Sequence, residues 1–109
     1  WSATLGRNIP YISYESGQHL VRTSTVGTAT INAAQDLPQM YDAYLKNLQS
    51  FEGAGGSLYM TFIYVRKNQN SGAWGHLQYQ DQSLDGALKY RAVMDYLDSP
   101  ERLALSMFD

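Results

Sequence analysis

Hydrophobic and polar positions alternate along this chain in long blocks. A short apolar run, Ile9-Pro10-Tyr11-Ile12-Ser13-Tyr14, is rich in β-branched and aromatic residues and is entered through a proline, which predicts a buried strand over about 9–14. Carboxylates avoid strand interiors, so Glu15 marks its end. The threonine- and glycine-rich segment Arg22 to Gln35 has no clean period and reads as a long loop. A helix follows over about 37–52. Asp36 is the expected N-cap, Gln39 follows three residues later, and Pro38 is tolerated in the first turn. Tyr41, Tyr44, Leu45, Leu48 and Phe51 keep one face of that helix apolar, and Gly53-Ala54-Gly55-Gly56 ends it.

The run Ser57-Leu58-Tyr59-Met60-Thr61-Phe62-Ile63-Tyr64-Val65 is almost continuously apolar, as in a strand buried on both faces of a parallel sheet (about 57–65). A polar loop from Arg66 to Ser83 comes next. The last helix is expected over about 85–97, capped by Asp85, with Leu88, Tyr90, Val93, Met94 and Leu97 on its apolar face. Strand, loop, helix, strand, loop, helix is the order of a βαβα unit in an α/β fold. Both long loops leave the carboxyl ends of the strands, the side on which α/β proteins collect ligands and catalytic groups. Two such strands cannot close a sheet or cover both of its faces, and Trp1 to Arg7 reads as the end of an earlier helix. The expectation is therefore one domain piece spanning residues 1–109: the carboxyl-terminal quarter of a (β/α)₈ barrel of roughly 250 residues.

Composition narrows the functional classes. The 109 residues carry a formal charge of −2 and no Lys/Arg cluster, which gives no electrostatic reason to expect a nucleic-acid partner. No apolar stretch approaches the ~20 residues that span a bilayer. Cysteine is absent and only two histidines occur, so thiol chemistry is excluded and neither a metal site nor a cofactor is expected. Gly53–Gly56 follows a helix and lacks a downstream Lys-Ser/Thr, so it is no phosphate loop. Nine Tyr, three Phe and two Trp remain, a composition that suits surfaces combining apolar contact with hydroxyls, as sugar clefts do.

Three segments carry a resemblance. Pro10 to Leu20 contains Tyr14-Glu15-Ser16-Gly17-Gln18-His19-Leu20; Pro38 to Tyr44 reads PQMYDAY; Trp74 to Gln82 reads WGHLQYQDQ. In this order they resemble the YEGGQHL, PRMYDLY and WGALEY segments of large bacterial proteins described as cellulose-binding or glycoside-hydrolase-like, over about residues 9–97. Ser16 stands in place of a glycine and Gln78 in place of a glutamate. The resemblance implies a carboxyl-terminal barrel portion similar to retaining glycosidases of clan A, whose nucleophile is a glutamate at the end of strand seven. It would make Glu15 that nucleophile in a hydrolase of polysaccharide O-glycosidic bonds. The acid/base partner would lie on strand four, outside this chain, so the piece alone would be inactive and needs the rest of the barrel.

Gln18 and His19 can donate to and accept from sugar hydroxyls, Trp74 offers a flat ring to a sugar face, and Tyr79 and Gln80 extend the cleft. The structural alternatives are a Glu15 that caps loop amides or pairs with Arg22, a His19 bonded to loop backbone, and a Trp74 that packs as a lid. The alternative function is a non-catalytic carbohydrate-binding, adhesion or structural domain of a large surface protein. Either reading suits an extracellular or cell-surface location.

Overall fold

A computed structural model describes residues 9–100 together with Arg102. The expected helix end at Trp1–Arg7 lies outside these residues. The fold is a small mixed α/β arrangement. Strand β1 (Tyr11–Ser16) leads to helix α1 (Thr28–Gln35), then α2 (Pro38–Gly53), strand β2 (Gly56–Thr61), a 3₁₀ turn (Leu84–Gly86) and helix α3 (Leu88–Leu97). The strands pair in parallel, as the αβ alternation requires. They make a βα unit; the described residues form no barrel.

Two sequence expectations change at β1. The strand continues through Glu15 to Ser16, and it is not buried: Tyr11, Ile12 and Tyr14 are 53%, 51% and 74% exposed. With one neighbour strand, its outer edge is unpaired among the described residues, and Tyr11 at its start packs on Phe51 of α2 at 4.9 Å between ring centres. β2 stops at Thr61, earlier than Val65, because the chain turns away at Phe62; Val65 instead forms an isolated bridge with Leu77.

The segment expected to be a loop contains α1, an eight-residue helix. It has no side-chain N-cap and no charged residue in its end turns, and its Thr28 and Thr30 are poor helix formers, so local signals for it are weak. Tertiary burial of Ile31 and Gln35, four residues apart, holds it in place. Asp36 closes the end of α1 rather than starting α2, whose N-cap is Leu37 with Pro38 at its first position. Gly55 supplies the positive φ (+88°) that turns the chain from α2 into β2.

The core lies between α2 and α3. Met40, Tyr44 and Ala92 form its centre, with Tyr41, Leu45 and Val93 packed around them. Tyr41 donates to Asp95 (2.7 Å), and Tyr96 donates to Glu52, tying the last turn of α3 to both ends of α2. On α3 the buried face is Lys89, Ala92 and Tyr96, rotated from the expected one; Met94 and Leu97 remain exposed. The lysine hid this face from a hydrophobicity count. Asp85 sits within the 3₁₀ turn, which Ser83 caps through the Asp85 N–H, and Ala87 precedes α3. No helix among the described residues is long and apolar enough to cross a membrane.

Candidate functional site

Parallel pairing puts the carboxyl ends of β1 and β2 side by side, and what lies there follows from one irregularity. Ser13 pairs with Tyr59 and Ser16 with Thr61, so three steps along β1 oppose two along β2. This is a β-bulge, and Glu15 is its extra residue with φ +54°. A left-handed backbone costs a non-glycine residue about 1–2 kcal/mol, so a glutamate here is an expensive choice for the fold alone. The bulge breaks the alternation of faces: Ser13 and Ser16 meet on one side, their hydroxyls hydrogen-bonded.

Beyond the bulge the chain opens into a cavity of about 170 Å³ lined by Glu15–His19, Phe62 and Trp74. It brings together Glu15, Gln18, His19 and Trp74. Glu15 is exposed, and among the described residues its carboxylate has no hydrogen-bond or ion-pair partner. Arg22 lies elsewhere, beside Val21, Asn70 and Ser71 in a second cavity of about 370 Å³ that Trp74 also walls. The Trp74 ring is steadied by Phe62, edge to face at 6.3 Å, and by the Arg66 guanidinium at 5.6 Å from the ring centre.

Behind these walls is a buried polar hub. The Gln18 amide donates to the Ala73 carbonyl (2.7 Å) and accepts from the Leu20 N–H (2.7 Å), so it shapes the loop from within. Lys89 donates to the same carbonyl (2.8 Å) and to Gln35 Oε1 (2.9 Å). The Tyr44 hydroxyl accepts from the Gln18 N–H (3.3 Å), and its ring stands nearly perpendicular to that of His76. Gly17 is required here: its φ is +146°, and a Cβ would lie 3.1 Å from the Tyr44 hydroxyl.

Burial dominates the electrostatics of the hub. It pushes Tyr44 up to about 12, keeping it neutral, and pulls Lys89 down to about 8 against the favourable charge of Asp36. Burial, then the Lys89 charge, pulls His76 down to about 4, so it is a neutral imidazole at pH 7. His76 Nε2 is buried without a hydrogen-bond partner among the described residues.

Tyr79 and Gln80 are exposed and do not line the cavity. The bridge between Val65 and Leu77 leads the chain away after Leu77, and Tyr79 rests beside Lys67 instead. Gln78 is used locally, accepting from the Asn68 N–H (3.3 Å). Sequence reasoning missed Gln35, Tyr44, His76 and Lys89 as parts of the site. The one available signal was the i, i+3, i+7 spacing of Lys89, Ala92 and Tyr96, which places the lysine on a buried stripe. Among the described residues, no group of three or more His, Asp or Glu side chains could hold a metal ion.

No protein-family model matches the chain, and no curated protein and no solved structure is significantly similar to it.

Proposed function

We propose that the strand-end cavity binds a carbohydrate and that Glu15 is the nucleophile of a retaining glycoside hydrolase, with this chain as part of a (β/α)₈ barrel. The observation that carries the reading is Glu15 itself: a carboxylate without a partner among the described residues, held in a costly backbone conformation at the joint end of two parallel strands, beside an aromatic wall. A carboxylate at that place can act as the nucleophile toward an anomeric carbon.

The Trp74 ring offers an apolar face to a pyranose, and His19 offers ring nitrogens to its hydroxyls. A cavity below the roughly 300–1,000 Å³ of sites that enclose whole ligands fits a single ring or a terminal group. The neighbouring cavity across Trp74 would take the adjoining sugar of a polysaccharide. Retention needs a second carboxyl group ~5–5.5 Å from the first. In this reading another strand of the barrel supplies it.

One observation favours a second reading, non-catalytic carbohydrate binding: Glu15 is the sole carboxylate lining the cavity among the described residues. Two variants of the intact protein separate the readings, assayed for aryl-glycoside hydrolysis and for oligosaccharide binding by calorimetry. For the hydrolase, Glu15→Gln lowers turnover by at least about 10³-fold, roughly 4 kcal/mol of barrier, and leaves binding within about threefold. Trp74→Ala weakens binding by about tenfold in both readings. Hydrolysis unchanged in Glu15→Gln contradicts the nucleophile assignment.

A further inference from the structure

Lys89 is placed where a lysine is least comfortable. It is 5% exposed and lies in the first turn of α3, the positive end of the helix. An apolar residue would serve packing alone better at that point. Its two hydrogen bonds show what the ammonium does. One goes to Gln35 on α1; the other goes to the Ala73 carbonyl, immediately before Trp74. That carbonyl also accepts from Gln18, on the opposite wall of the cavity. Ala73 is fully buried, so water does not compete for its oxygen. One acceptor therefore joins the loop that carries His19 to the loop that carries Trp74, and Lys89 grips it.

We propose that Lys89 is a positioning residue of the cavity: through the Ala73 carbonyl it sets the place of the Trp74 ring against the Gly17–His19 loop, and with it the affinity for a sugar ring. The last clause rests on the carbohydrate reading above. The coupling of Lys89 to Trp74 does not. Hydrogen bonds from an ammonium are roughly twice as strong as those from a neutral amine, so loss of the proton loosens the grip without deleting it. Burial brings that loss to about pH 8. The groups that act electrostatically with Lys89 are Asp36, at the end of α1, which favours the ammonium, and His76, from the segment between β2 and α3, which is neutral over this range.

The test is ¹⁹F NMR of the intact protein labelled with 5-fluorotryptophan, the Trp74 resonance being assigned by its loss in Trp74→Phe. The expected result is a resonance that shifts with a midpoint near pH 8 in the unmutated protein. Lys89→Arg abolishes that transition. Lys89→Met abolishes it and also displaces the resonance at pH 7. Leu48→Ala, a core truncation on α2 away from the cavity, lowers the melting temperature without moving the resonance. A resonance that is flat from pH 7 to 10 in the unmutated protein overturns the proposal, even if Lys89→Met does not fold. So does a folded Lys89→Met with the resonance unmoved. Oligosaccharide added to the unmutated protein reads the other claim: no response from Trp74 to any sugar overturns the carbohydrate reading and leaves the coupling to be decided by the pH and Lys89 arms.

Discussion

The segment Gly72–Leu77 and the strand β1 reverse the usual relation between regularity and burial. The irregular segment is inside: Ala73, His76 and Leu77 are 0%, 5% and 2% exposed. The regular strand is outside, with Tyr14 74% exposed. An irregular backbone can be buried only where its polar groups find partners, and several of them do here. Gly72 O accepts from Gln69, Ala73 O from Gln18 and Lys89, and Trp74 O from Ile63. His76 N–H donates to Ile63, and Leu77 exchanges bonds with Tyr64 and Arg66. The comparison teaches that this chain invests its packing in the loop that carries Trp74. The strands present their ends to that loop, and β1 leaves most of its length exposed.

The largest expected effect breaks the buried loop. A Cβ on Gly75 would lie 2.2 Å from the Arg66 carbonyl oxygen and 2.6 Å from that of Leu77, both backbone. Gly75→Ala should destabilise by more than about 3 kcal/mol, read by urea denaturation, because backbone on both sides must move. A loss under 1 kcal/mol would mean that the loop is looser than its burial implies.

Next is pH. His76 titrates at about 4 when folded and at about 6.5 when unfolded, so between these values the unfolded chain binds the extra proton. Stability should fall as the pH is lowered through this window, by about 2 kcal/mol from pH 7 to pH 5. His76→Leu should lack that part of the dependence. A variant with the same pH slope would place the titration elsewhere.

A smaller effect of opposite sign tests the strand end. Glu15→Gly should raise stability by about 1 kcal/mol, since it relieves a left-handed backbone and removes no partner among the described residues. A loss would show that the glutamate has a structural role. The smallest effect concerns the open face of the sheet: Tyr14→Ser should change the stability of this 109-residue chain by less than about 0.5 kcal/mol. The same substitution costing over 2 kcal/mol in a longer protein would show that further strands cover that face.

Much of the frame is legible in the sequence. The parallel pair, the long α2 and the gathering of Glu15, Gln18, His19 and Trp74 follow from strand ends that share a side. α1 was not legible, because threonine, alanine and asparagine without caps or charges carry no periodic signal, and only the contacts of Ile31 and Gln35 make it a helix. Lys89 was not legible as part of the site, because a charge on a helix is usually solvated and its buried acceptors come from residues 16 and 54 positions away. Tyr79 and Gln80 were drawn to the site by their composition. Their path away from it depends on a single bridge, Val65 to Leu77, that local pattern does not encode.

Whether the strand-end cavity is catalytic turns on what the Glu15 carboxylate does. The most direct measurement is to incubate the intact protein with a panel of activated 2-deoxy-2-fluoro glycosides, which trap a retaining nucleophile as a stable ester, and to map the adduct by peptide mass spectrometry. A single glycosyl increment on Glu15, absent in Glu15→Gln, is the predicted result. Labelling of a different carboxylate, in a protein that turns over glycosides, would contradict it.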